Sequence, residues 1–177
     1  MKKLLLTAAI AVFAMMGTQA QEGLKLGAHV GLPIGDVDES SSLNIGVDVA
    51  YHWNIAEGFD LGVTTGYTTF LAKEYDLPGG GKIKGDDAGF IPIAASARYS
   101  FNEEWFVGAD LGYALATQDG ADGGVYYQPK VGYKFSSVDV FAFYKGISIK
   151  QTYDTPIGTI ENTISAGSVG VGAAYRF

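Results

Sequence analysis

After the first twenty residues, apolar positions alternate with small or polar ones. In residues 43–53 the apolar set is Leu43, Ile45, Val47, Val49, Tyr51 and Trp53, with Asn44, Gly46, Asp48, Ala50 and His52 between them. Successive side chains of a strand point to opposite sides, so this stretch makes a strand with one greasy face and one small or polar face. The alternation recurs in residues 24–34, 59–70, 89–101, 105–115, 125–135, 138–149 and 166–177, and no window there holds a helical period. It predicts eight strands of about 11 to 13 residues.

The connections alternate as well. Residues 55–58, 102–104 and 136–137 are tight turns, while 35–42, 71–88, 116–124 and 150–165 are longer polar loops rich in Gly, Asp and Ser. An even number of antiparallel strands, with short turns at one end and long loops at the other, is the layout of a bacterial transmembrane barrel. Strands of about 11 residues, rising roughly 3.3 Å each and tilted about 40°, span some 27 Å, enough for the hydrocarbon layer.

A soluble barrel also alternates, with its apolar face inward, and the aromatics decide between the two. Tyr51, Trp53, Phe59, Tyr99, Phe101, Trp105, Tyr133, Phe135, Tyr175 and Phe177 flank the short-turn end as an interface girdle. Tyr67, Phe90, Tyr113, Tyr127 and Tyr144 form a looser belt near the long loops. Aromatic content is 13% and there are 25 glycines, many on the other face, where a narrow interior needs room for the opposite wall's side chains.

Lys2 and Lys3 precede an apolar run, and Thr18-Gln19-Ala20 offers small residues at the spacing of a signal-peptidase site. Residues 1–20 therefore read as a cleaved secretory signal peptide, leaving residues 21–177 as one barrel domain. There is no cysteine, so disulfides and thiolate metal sites are excluded. The formal charge of −7 becomes −9 once Lys2 and Lys3 are removed, which argues against a nucleic-acid partner.

The closing Tyr175-Arg176-Phe177, the stretch "FIPIAASARYSF" followed by "NEEWFVGADLGYA", and the eight-strand layout resemble the small outer-membrane β-barrels of Gram-negative bacteria, the OmpX/OmpA-type and porin-like barrels. The resemblance covers nearly all of the mature chain. It implies an all-β, eight-stranded antiparallel up-and-down transmembrane barrel in the outer membrane, reached by export through the periplasm. It implies contact with outer-membrane lipid and lipopolysaccharide, a monomeric state, and no cofactor. It also implies that Tyr175 and Phe177 are the terminal aromatic signature read by the barrel-assembly machinery. A fold of this kind does not fix one activity.

Folding each hairpin about its loop places complementary groups on the inner face: His29 opposite Asp48, Asp110 opposite Lys130, His52 against Asp60, and Lys134 against Asp139. Lys25, Arg98 and Arg176 add positive charge toward the short-turn end. Eight strands enclose an interior just wide enough to be filled by side chains, so a lumen paired in this way is plugged. Three prolines, Pro33, Pro92 and Pro129, lie within strands although a closed barrel has no free edge. The seventh strand changes phase at Ile147 and Ile149, which predicts a bulge near Lys145-Gly146.

These features point to a structural or surface-interacting, non-catalytic barrel with acidic outer loops, the loop 71–88 above all offering contact surface for an extracellular ligand. Two other readings stay open: a narrow channel or carrier for small solutes, and a lipid-modifying enzyme, which needs a hydroxyl or acid beside His29 or His52. Asp36, Asp38, Glu39 and the stretch "TQDGADGG" supply carboxylates without a full calcium-loop spacing.

Overall fold

A computed structural model describes residues 23–76, 81–118, 120–155 and 158–177; the expected signal peptide lies outside the described residues. Eight long strands close into an antiparallel barrel: β1 (Leu24–Gly35), β2 (Ser41–Ala56), β3 (Phe59–Ala72), β6 (Ala88–Ser100), β7 (Trp105–Ala116), β8 (Gly124–Lys134), β9 (Val138–Thr155) and β10 (Gly158–Arg176). Two short strands, β4 (Glu74–Asp76) and β5 (Lys82–Lys84), form a separate hairpin between β3 and β6. Closure runs through β1 pairing with β10, from Lys25 opposite Arg176 to Gly35 opposite Ala166. The last residue is held in place, since Phe177 N–H donates to the Leu24 carbonyl at 3.2 Å.

The greasy parity faces outward. Leu32, Leu111, Ile93 and Val171 are among the many large apolar side chains exposed on the barrel wall, and a continuous apolar wall is stable only against lipid. The girdle aromatics pack along the short-turn rim, with Tyr51 against Trp53, Trp105 against Tyr133, and Tyr175 against Phe177. The second belt needs one correction. Phe90 is buried against Phe70 inside the barrel, because even-numbered residues of β6 point inward; Tyr67, Tyr113 and Tyr144 stay exposed, with Tyr127 stacked on Tyr144.

The prolines fall where a ladder is open. Pro92 pairs with Ala114 of β7, while on its other side the β3 ladder skips from Thr65–Ile93 to Thr68–Phe90. Pro129 pairs with Ala109 of β7, and the β9 ladder skips from Tyr127–Gly146 to Lys130–Phe143. Pro33 lies past Gly31–Asn44, where the β1–β2 ladder ends. Each missing donor thus coincides with an interrupted pairing.

Two further expectations change. No bulge occurs at Lys145-Gly146: β9 stays in register with β10 through Lys145–Ser168, Gly146–Gly167 and Ile147–Ala166. Ile147 is fully buried in the lumen, and Gly146 faces the Tyr127 ring, which lies where a side chain would be. Nor is 150–165 an irregular loop. β9 and β10 continue as one hairpin to Thr155 opposite Gly158, consistent with its run of Thr, Ile and Tyr, residues that favour extended backbone.

Candidate functional site in the barrel lumen

The inward parity of the strands brings every buried charge to the axis, in layers. Nearest the short turns, Asp139 at the start of β9 is almost completely buried and receives three cations. Arg98 of β6 lies 2.5 Å from Oδ2, Lys25 of β1 at 3.5 Å, and Arg176 of β10 lies 3.3 Å from Oδ1. The Arg98 guanidinium is seated 3.5 Å over the Phe106 ring, a cation–π contact that strengthens out of water. Phe106 in turn fills the space left by Gly132 on the neighbouring strand.

One layer further in, Asp110 accepts Lys130 at 2.8 and 3.0 Å and the Ser96 hydroxyl at 2.5 Å, while His52 Nε2 lies 3.0 Å from Ser96 Oγ. A chamber of about 50 Å³ lies between these two layers, lined by Asp48, His52, Arg98, Asp110, Lys130 and Asp139 among others. Apolar groups, Phe106 and Phe141 among them, share its lining with these charges, and it is large enough for water.

The central layer is a chain of side chains from five strands. Asp48 Oδ2 is 2.6 Å from His29 Nδ1, and His29 Nε2 is 2.6 Å from Lys145 Nζ. Lys145 also donates to Thr68 Oγ1 at 3.1 Å, Asn44 donates to the same oxygen at 2.9 Å, and Ser168 donates to Asn44 Oδ1 at 3.0 Å. Beyond it Phe70, Phe90, Ala94, Ala114, Tyr126, Ile147 and Ala166 form a buried apolar cap toward the long-loop end. The Tyr126 hydroxyl reaches back to Gln128 at 2.9 Å, tying the cap to the polar layers.

Set against the sequence, two of the four pairs touch, though not as direct cross-strand neighbours. The Cα register puts His29 opposite Gly46 and Asp48 opposite Gly27, so His29 reaches Asp48 diagonally. A Cβ on Gly46 would lie 2.5 Å from His29 Cε1, and that absent Cβ is the room the ring uses. Likewise Lys130 lies opposite Gly108, and Asp110 opposite Gln128. His52 and Asp60 are not brought together. A bulge at Asn54/Ala56 sets Asp60 opposite Asn54, which donates to it at 3.0 Å, and leaves His52 opposite Gly62 and bonded to Ser96. Lys134 and Asp139 are register partners, but the ion pairs of Asp139 run to Lys25, Arg98 and Arg176.

Sequence reasoning missed Lys145, Thr68, Asn44 and Ser96. Lys145 left one signal, being the only lysine in mid-strand on the inward parity of β9. In the outer segments Asp36 accepts the Ser165 amide at 2.8 Å, and the Asp38 and Glu39 carbonyls accept Lys73 and Tyr75, both at 2.6 Å. The first bond ties the 35–42 loop to β10, and the other two tie it to the 71–88 segment.

No protein-family model matches the chain, and no curated protein matches it in sequence. Solved structures do match in shape. A de novo designed transmembrane β-barrel aligns over 90% of this chain and 100% of its own, at 12% identity and a TM-score of 0.51. Ail, the attachment invasion locus protein of Yersinia pestis, aligns over 90% of this chain and 100% of its own, at 13% identity and a TM-score of 0.50. Neisserial surface protein A aligns over 91% of this chain and 99% of its own, at 19% identity and a TM-score of 0.48. Identities this low speak to fold alone. With its lipid-type outer face, girdle and closed strand order, the chain is an eight-stranded antiparallel transmembrane barrel with the fold of the small outer-membrane barrels.

Proposed function

We propose that this protein is a non-catalytic, monomeric outer-membrane barrel whose lumen is a structural plug and whose work is done by the segments at its long-loop end, in contact with lipopolysaccharide and an extracellular ligand. The observation that carries this reading is the outer end itself. An apolar cluster lies inside the barrel toward that end, while β9 and β10 run on past it. β8 last pairs with β9 at Val125–Ser148, and β1 last pairs with β10 at Gly35–Ala166. From Ile149–Ile164 to Thr155–Gly158 the two strands, among the described residues, pair only with each other, a ribbon of roughly 20 Å at about 3.3 Å per residue. Among the described residues its outer edges ladder with no barrel strand, a form suited to recognition by strand addition.

An enzymatic reading draws on the hydroxyls beside each histidine, Thr68 at 3.2 Å from His29 and Ser96 at 3.0 Å from His52. Both are buried, and Ser96 gives its proton to Asp110 rather than to His52. That order is not the nucleophile–base–orienter arrangement that activates a serine. A narrow channel draws on the chamber of about 50 Å³, which only the central layer and the cap separate from the long-loop end.

Ion conductance of refolded residues 21–177 in a planar bilayer separates these readings. The plugged barrel is silent once inserted. Unit conductance steps from the unmodified chain overturn it in favour of the channel.

A further inference from the structure

The short-turn mouth opens into a vestibule of about 440 Å³ whose lining includes Lys25, Arg98, Lys134, Arg176 and Asp60. Behind it lies Asp139, also buried. Four cations thus stand against two carboxylates, in a chain whose formal charge is −7. A concave, low-dielectric opening with an excess of one sign of charge focuses the field on whatever enters it.

The acids present do not use up that charge. Lys25, Arg98 and Arg176 all converge on the single carboxylate of Asp139, at 3.5, 2.5 and 3.3 Å. Asp60, which accepts a hydrogen bond from the neutral Asn54 amide, offsets one cation more, so four cations still exceed two carboxylates. Among the described residues Lys134 forms no ion pair, although it is the register partner of Asp139. Arg98 is only 4% exposed, and among the described residues its buried Nε and Nη2 have no hydrogen-bond partner; the Phe106 ring covers the face of the guanidinium and not its in-plane donors. Arg176 is committed otherwise, its Nη2 donating to the carbonyls of Phe135 and Ser136 at 2.5 and 2.6 Å, which makes it a fixed wall.

The geometry points to a binding site in this vestibule for a small, multiply charged oxyanion of the phosphate type, held by the ammonium groups of Lys25 and Lys134 with the spare donors of Arg98 behind them. Several acceptor atoms on one compact ion match several donors around one mouth, and the volume is that of a small-molecule site. In this fold the short turns face the periplasm, so the ion arrives from that side. With the far end capped, the vestibule holds the ion rather than passing it. The site does not depend on the lumen being silent, so conductance and binding fail independently.

The test is a titration of isotopically labelled residues 21–177, in nanodiscs of phosphatidylcholine, with pyrophosphate at constant ionic strength, read by the amide signals around Lys25, Arg98 and Lys134. Saturable shifts at those amides are expected, with none at Lys82 and Lys84. The double variant K25Q/K134Q raises the apparent Kd at least about tenfold, whereas K82Q/K84Q, which removes the same charge elsewhere, leaves it unchanged. Should the double variant fail to refold, K134Q alone, at the half-buried rim, weakens binding several-fold. Shifts that never saturate, or equal weakening by both double variants, overturn the site. Replacing part of the lipid with phosphatidylglycerol then identifies the source: competition marks a lipid headgroup phosphate, and its absence a free oxyanion.

Discussion

Lys145 Nζ lies 2.6 Å from His29 Nε2 in a fully buried position, and that contact sets the proton positions at the centre of the barrel. An ammonium only donates, so His29 Nε2 accepts, and the ring proton stands on Nδ1, which donates to Asp48 at 2.6 Å. The imidazole ring spaces Asp48 from Lys145, and the three side chains lock β1, β2 and β9 to one another.

Lys145→Met removes the buried ammonium and leaves His29 Nε2 and the Thr68 hydroxyl without that partner, which costs about 1–3 kcal/mol. In an Asp48→Asn background the same substitution costs at least about 1 kcal/mol less, because the two act through one ring. Urea unfolding in lipid or detergent measures both legs, and equal costs in the two backgrounds contradict the coupling.

Gly132→Ala destabilises by about 1–3 kcal/mol. The added Cβ would come within 2.5 Å of Phe106 Cε1 and 2.7 Å of the Val140 carbonyl, so Phe106 must move out from under Arg98. Gly85→Ala in the outer loop, whose Cβ would meet only Ala72 at 3.6 Å, stays within about 0.5 kcal/mol of the parent.

Leu111 stands on the outer wall in the middle of β7, 64% exposed in the absence of lipid. Leu111→Arg costs about 2–4 kcal/mol in a bilayer if this wall faces hydrocarbon. Ile83→Arg in β5, equally exposed but outside the barrel, is near neutral. A reversed order of the two costs would place the wall in water.

At the base of the 71–88 segment, Asp87 accepts the Ala72 amide at 2.9 Å. That bond, with Lys84 adding to it, holds the carboxyl below its ordinary value of 3.8. A depressed carboxyl contributes its stabilisation above the unfolded value and loses it as pH falls through the folded one. The Ala72 amide resonance is therefore constant above about pH 4 and shifts only below it; Asp87→Ala abolishes the titration.

The architecture was legible in the sequence because a membrane barrel states its fold twice, in the period of two along each strand and in the short–long alternation of its connections. Eight strands, an outward apolar parity and a girdle from Tyr51 to Phe177 all follow from positions that are local in the chain. The β9–β10 ribbon was read as a loop because its strand-forming residues are mixed with polar ones, and only pairing reveals them as a ladder.

The lumen was less legible. Inward residues and the signs of their charges could be listed from parity, yet registers were two residues off in three hairpins, since a bulge such as Asn54/Ala56 or the exact seat of a turn shifts every partner downstream. His29–Asp48 and Lys130–Asp110 touch all the same, because glycines opposite His29 and Lys130 allow a diagonal reach. His52 also lies opposite a glycine, Gly62, yet its ring bonds Ser96 of β6 and not Asp60.

What the sequence by itself determined is which side of the wall each residue faces, a local property of alternating backbone. What only the tertiary structure decided is who meets whom across the interior. Lys145 is 116 residues from His29, and Arg98 is 41 from Asp139. Those meetings depend on how far each strand is staggered against the next around a closed circle, a sum over eight registers that no single hairpin contains.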